Sequence, residues 1–220
     1  MEDKATRIAV LVRYYQRYLH DSDTARFIAS VASKYSISAL HRVLQEGDVY
    51  RRRAAALALG LIGDIRSNEV LGPLLKDQDR KLRLVVDDAL RSIWSREGST
   101  EQRHQLEKVV RLNECGEHEL AAQLATLLIE AANTFAEAYH QRSLALFNIG
   151  EIDQAIEDCC RVLQLNQYHY AAMIGLGHCY LDHNDLMESL FWFKLALETY
   201  PDLEPVRIQV RRLEKAIQEL

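Results

Sequence analysis

The stretch LALFNIGEIDQAIEDCCRVLQLN, residues 144–166, sets Glu151, Asp153, Glu157 and Asp158 beside two adjacent thiols, Cys159 and Cys160. Carboxylates next to thiols suit a metal site, a redox pair or a hydrolase centre. Adjacent cysteines on a helix project about a hundred degrees apart, so they neither chelate one ion nor bridge each other without distortion. The four cysteines, Cys115, Cys159, Cys160 and Cys179, show no C-x-x-C spacing, and the eight histidines contain no H-E-x-x-H. His178 and His183 stand five apart across the end of a helix, which is poor ligand spacing. The sequence has no glycine-rich phosphate loop and no nucleophile elbow. The four acids fall in the turn and first half of a helix, where negative charge offsets the helix dipole and is solvated. No catalytic residue, metal or cofactor is expected, and the chain reads as a non-enzyme.

One basic concentration remains: Arg51, Arg52 and Arg53 with Arg80, Lys81 and Arg83. Residues 1–100 hold 17 Lys+Arg against 13 Asp+Glu, while residues 101–220 hold 10 against 19. A balance of +4 with no aromatics among these charges argues against nucleic acid, leaving Arg51, Arg53, Arg80 and Lys81 as a possible basic patch. Only 3 Pro and 9 Gly against 48% hydrophobic residues point to an all-α chain. No apolar run approaches the ~20 residues of a membrane span. The acidic start, with arginines through the first apolar stretch, does not read as a signal peptide. A cytoplasmic protein is expected.

The elements that carry these residues repeat. Gly116, Gly150 and Asn184 are 34 residues apart, each in a turn, and Gly and Asn are the residues that tolerate the left-handed end of a helix. Five residues later comes a small side chain, Ala121, Ala155 and Ser189, which lets two helices approach closely. Three helix-turn-helix units follow, at 102–135, 136–169 and 170–203. The pattern resembles the tetratricopeptide repeat. The third unit carries Met173, Leu176-Gly177, Tyr180, Ser189, Phe193, Ala196 and Pro201. The second carries Tyr139, Ser143, Leu146, Ala155, Cys159 and Val162, with Arg142 in the usual Leu place and Gln167 in the Pro place. The first keeps Leu112, Gly116, Ala121, Ala125 and Leu128, but has Val109 where a small residue is usual and Gln105 where an aromatic is usual. Pro205 and the spacing of Val206, Val210, Leu213, Ile217 and Leu220 predict a capping helix over 204–220.

The N-terminal half repeats on another period. SISALHRVLQEGDVYRR (36–52) and SNEVLGPLLKDQDRKLR (67–83) superimpose at an offset of 31, pairing Leu40 with Leu71, Leu44 with Leu75, Asp48 with Asp79 and Arg52 with Arg83. An aspartate ahead of each helix caps it, and an arginine reaches a neighbouring unit's aspartate. The run Arg52–Gly60 is similar to the short HEAT repeat of phycobilin lyases and bacterial scaffold proteins, with Pro73 early in a second helix. Residues 23–34 would open a degenerate earlier unit, and residues 3–20 would cap the array with Ile8, Leu11, Val12, Tyr15, Tyr18 and Leu19 on one stripe. The polar cluster 95–100 marks the boundary, giving a HEAT-like domain at 1–97 and a tetratricopeptide domain at 98–220. Ser99 and Gln102 fit a capping box opening the second.

The fold class expected is therefore an α-solenoid: a HEAT-like array, three tetratricopeptide units and a capping helix. The resemblance implies a non-catalytic scaffold or adaptor whose first helices line a groove. By register the groove holds Arg103, Leu106, Val110 and Asn113, then Glu137, His140, Leu144 and Phe147, then Ala171, Ile174, His178 and Leu181. The Lys/Asn/Arg set that grips a peptide carboxylate in some family members is absent. The groove is mainly apolar and suits an amphipathic helix or apolar extended segment of another protein. It could equally be filled by residues 1–20, the capping helix or a second copy of the chain. Two other roles stay open: a phycobilin-lyase-like or chaperone-type role, and nucleic-acid binding by the basic half.

Overall fold

The computed structural model describes the backbone of residues 4–219, with side chains from Val10 onward. The expected places of the Ile8 and Leu220 side chains fall outside the described residues. Among those residues thirteen α-helices form and no strand. The chain divides into two compact units, residues 1–96 and 97–220.

The first unit comprises α1 (Lys4–Asp21), α2 (Thr24–Ala32), α3 (Ile37–Glu46), α4 (Val49–Ile62), α5 (Asn68–Leu71) and α6 (Arg80–Ser95). Side-chain oxygens of Asp23, Ser36, Asp48 and Asp79 take backbone N–H groups at the starts of α2, α3, α4 and α6, as N-caps do. Leu40, Leu44, Leu71 and Leu75, the residues matched by the 31-residue offset, are buried. The α4–α6 contact is close because residue 60 is glycine. A Cβ there would lie 2.7 Å from the Cα of Ala89.

The first unit departs from the repeat pattern in two places. The segment after Asp64 does not form one helix. It breaks into a 3-10 turn (Ile65–Ser67), the four-residue α5 and a second 3-10 turn (Gly72–Lys76). Gly72 favours no helix and Pro73 offers no N–H to continue one. On α1, Leu11 and Tyr15 are buried but Leu19, expected on the same stripe, is 62% exposed.

The second unit is built of α7 (Thr100–Glu114), α8 (His118–Ala131), α9 (Ala136–Asn148), α10 (Ile152–Leu165), α11 (Tyr170–Asp182), α12 (Leu186–Thr199) and α13 (Glu204–Gln218). Ser99 and Gln102 make a full capping box at the start of α7. Gly116, Gly150 and Asn184 have φ of +79°, +85° and +58°. At each, two N–H groups reach back over the end of the helix: Glu117 to Leu112 and Gly116 to Asn113, Glu151 to Leu146 and Gly150 to Phe147, Asp185 to Tyr180 and Asn184 to Leu181. These are three Schellman motifs, which explains the residue types at the 34-residue spacing.

Ala121, Ala155 and Ser189 are fully buried at the helix crossings that follow, and Ser189 Oγ donates to the Gly177 carbonyl at 2.7 Å. Val109 fits where a small residue is usual because its neighbours, Ala121, Ala125 and Ala145, are small. Val206, Val210 and Leu213 of α13 cover Phe193 and close the end of the stack. Among the described residues no helix is long and apolar enough to cross a membrane.

Candidate functional site

Helices α9 and α11 do not fill the space between them. A pocket of about 320 Å³ lies there, lined from α9 by His140, Ser143, Leu144, Phe147 and Asn148 and from α11 by Ala171, Ile174, Gly175, His178 and Cys179, with Cys159 of α10 behind. Of the groove residues expected from the repeat register, the pocket brings together His140, Leu144, Phe147, Ala171, Ile174 and His178. Leu144 is 42% exposed. Gly175 was not anticipated. A Cβ there would meet only Cys159 Sγ, at 2.9 Å, so its absence leaves bare backbone facing the space.

The other expected groove residues have different duties. Leu106 is 3% exposed and packs with Leu128, Ile129, Phe135 and Ala138, with Val110 laid against the same cluster. Both belong to the core rather than to an open groove, packed among Leu128, Ile129, Phe135 and Tyr139. Asn113 is buried and donates through Nδ2 to the Gln141 carbonyl at 2.9 Å. Leu181 packs into the cluster around Phe193 and Val206. Arg103 donates to Thr100 Oγ1.

Glu137 stands beside the pocket. Its Oε1 accepts from Gln141 Nε2 at 2.9 Å, and its Oε2 lies 3.2 Å from Nε2 of His169, a buried residue that sequence reasoning passed over. His169 caps α11: its Nδ1 accepts the Ala172 N–H at 3.1 Å. A ring nitrogen that accepts carries no proton, so the proton of a neutral His169 sits on Nε2 and points at Glu137. Histidine is not among the usual N-cap types, which is why position 169 gave no signal. Burial alone would lift the Glu137 carboxyl, but the His169 hydrogen bond, the neighbouring histidines and Gln141 outweigh it and hold the pKa at about 2. Burial lowers His140 to about 4 against the pull of Glu137, so its imidazole is neutral at pH 7 and its Nδ1 is buried without a partner. Burial also lowers His178.

Glu137, His140 and His169 offer ligand atoms all within 4.8 Å of one another, two imidazoles and a carboxylate of the kind that hold zinc or iron. A metal-ligating histidine ordinarily donates its second ring N–H. His169 does the opposite, taking a backbone N–H at Nδ1. Its Nε2 proton occupies the direction an ion would need, so the trio fits a hydrogen-bond relay and does not fit a metal.

Among the acids and thiols of residues 151–160, Glu151, Asp153 and Glu157 are exposed, while Asp158 and Cys159 are buried. Asp158, expected to be solvated, is buried and accepts from Arg142 Nε and Nη2 at 2.7 Å each. Arg142 also reaches Thr126 Oγ1 of α8. The arginine in the usual Leu place and the misjudged aspartate are two halves of one ion pair. Cys159 is fully buried, and burial pushes its thiol up to about 12. Burial likewise raises Cys179 to about 11, away from the thiolate form that a nucleophile needs.

The basic patch also shrinks. Both oxygens of Asp79 hold the guanidinium of Arg53, at 2.9 and 2.5 Å. Arg51 pairs with Asp48, and Arg52 with Asp77. Arg53 therefore ties α4 to the start of α6 and is not a fork turned to phosphate. Lys81 is exposed.

The stacked hairpins define a helical-repeat protein of the α-solenoid class, and residues 136–169 match the tetratricopeptide repeat. No curated protein matches the chain. Among solved structures, the first tetratricopeptide domain of Spaghetti (RPAP3), bound to the HSP90 peptide SRMEEVD, is 20% identical over 55% of this chain and 96% of its own, with a TM-score of 0.53. YrrB, a tetratricopeptide protein described as having an unusual peptide-binding site, is 17% identical over 90% of this chain and 97% of its own, with a TM-score of 0.48. TTC0263, a thermophilic tetratricopeptide protein of Thermus thermophilus, is 18% identical over 96% of this chain and 98% of its own, with a TM-score of 0.41.

Proposed function

We propose that the protein is a non-catalytic adaptor that holds an apolar segment of a partner protein between α9 and α11. The observation that carries this reading is the α9–α11 pocket. Its exposed surface is mainly apolar, its histidines are depressed by burial, and exposed Leu144 stands at its edge. Open apolar concavities of this size are where proteins take ligands and partner side chains.

The HSP90 peptide SRMEEVD held by the Spaghetti domain carries three acids. Here α9 and α11 contain one base, Arg142, and Asp158 grips it, so an acidic peptide is not the match. The N-terminal unit, read as a HEAT-like array, supplies a second contact surface in this proposal. It shares the buried leucine pairs and capping aspartates that the 31-residue period predicts.

The test is cross-linked recovery of partners from the native cell with the intact chain and with a Leu144→Asp/Phe147→Ala variant. Partners recovered only by the intact chain support the groove. Identical recovery by both contradicts it.

A further inference from the structure

The charges around the pocket restrict what can sit in it. Helices α9 and α11 together carry two carboxylates, Glu137 and Asp182, and one guanidinium, Arg142. Asp158 neutralises Arg142 from the side of α10 with two hydrogen bonds of 2.7 Å. The Glu137 carboxylate is buried and receives hydrogen from Gln141 and the His169 ring, with no lysine or arginine among its partners. It lies within 4.8 Å of a ligand nitrogen of His140, at one end of the pocket. Asp182 is exposed one turn beyond Cys179, at the other end, and raises that thiol through its charge. The site is thus an apolar hole with a negative charge at each end.

Building on the groove reading, we infer that the pocket takes one bulky apolar side chain, leucine, methionine or phenylalanine, from a partner segment whose neighbouring residues are lysine or arginine. The bare backbone at Gly175 gives that side chain its depth. The cationic neighbours meet exposed Asp182 and lie in the field of the buried Glu137 carboxylate. An acidic flank would set like charges against both ends, and the one arginine of the two helices is already paired with Asp158.

Selection of a random dodecapeptide library on the full-length chain tests this at neutral pH and low salt. The expected consensus is a large apolar residue with lysine or arginine close by. Its binding should weaken as salt rises, fall about threefold with Asp182→Lys, and be lost with Gly175→Leu. Leu144→Asp, at an exposed position, is the second loss variant in case Gly175→Leu melts early. Apolar sequences without bases that still lose binding in Phe147→Ala overturn this inference and leave the groove reading standing. Sequences that ignore Leu144→Asp and Phe147→Ala overturn both, as does the failure of any sequence to enrich. Concentration-dependent self-association abolished by Phe147→Ala would make a second copy of the chain the occupant, and would overturn the inference as well.

Discussion

The α7–α9 and α9–α11 junctions are built from the same repeat positions and end in opposite states. At the first, Leu106 and Val110 meet Phe135 and Tyr139, and Asn113 is tied to Gln141. At the second, the residues 34 places on are His140, which packs on the His169 ring at 4.7 Å, and Leu144, which lines an open pocket with Ala171, Ile174 and Gly175, the last standing where the first junction has Gln141. The backbone turns are alike, with φ of +79° and +85° at Gly116 and Gly150. The period sets where helices cross; the size of a few side chains decides whether the concave side is core or site.

The largest expected effect concerns what holds α9 from behind. Asp158→Ala leaves the Arg142 guanidinium half-buried without its partner and should cost about 3–5 kcal/mol in urea unfolding. Arg142→Leu puts the residue usual at this place of a tetratricopeptide repeat there but strands Asp158, so it should cost a similar amount alone. The double variant Arg142→Leu/Asp158→Ala should recover most of the loss. Additive losses would mean that the pair does not act as a unit.

Acidity gives the next largest effect, from the open junction itself. His140 folds with its pKa lowered from 6.5 to about 4. A neutral folded imidazole contributes stability that is complete above pH 6.5 and is lost as pH falls toward 4. Glu97 works in the opposite sense. Burial lifts it from 4.5 to about 7, so its contribution is complete below 4.5 and lost as pH rises through 7. Melting temperatures against pH separate the two. His140→Leu should gain on the wild type by about 2 kcal/mol as pH falls to 4, and Glu97→Gln should gain on it as pH rises to 7. Parallel curves for all three proteins would show that neither group is perturbed by folding.

A smaller contrast comes from two glycines of α11 on opposite sides of the helix. A Cβ at Gly177 would lie 2.6–2.8 Å from three ring atoms of Phe193, whereas a Cβ at Gly175 meets a single atom, Cys159 Sγ, at 2.9 Å. Gly177→Ala should cost about 1–3 kcal/mol by overpacking. Gly175→Ala should be near neutral, because a helix-propensity gain of about 1 kcal/mol offsets the shift of one thiol. Equal losses would place Gly175 in packed core.

The parts of the fold legible in sequence were those that recur. Gly116, Gly150 and Asn184 announce their turns because few residues tolerate positive φ, and Ala121, Ala155 and Ser189 announce close crossings because nothing larger fits. Asp48 and Asp79 are readable as caps from their place before an apolar run. The site was legible in outline, since repeat register supplied six of the pocket residues. What stayed hidden are contacts between residues with no periodic relation. Arg142 and Asp158 are 16 apart, and Glu137 and His169 are 32 apart. Register also marked Leu106 as groove-facing, and its packing against Leu128, Ile129 and Phe135 turns that position into core.

The central claim is that the second junction is an open site and the first is core, and two substitutions of one chemistry test it most directly. Urea unfolding of Leu106→Ala and Leu144→Ala should show a loss of about 2–5 kcal/mol for the first and no more than about 0.5 kcal/mol for the second. A loss at Leu144 equal to that at Leu106 would make the α9–α11 face packed interior and contradict the account.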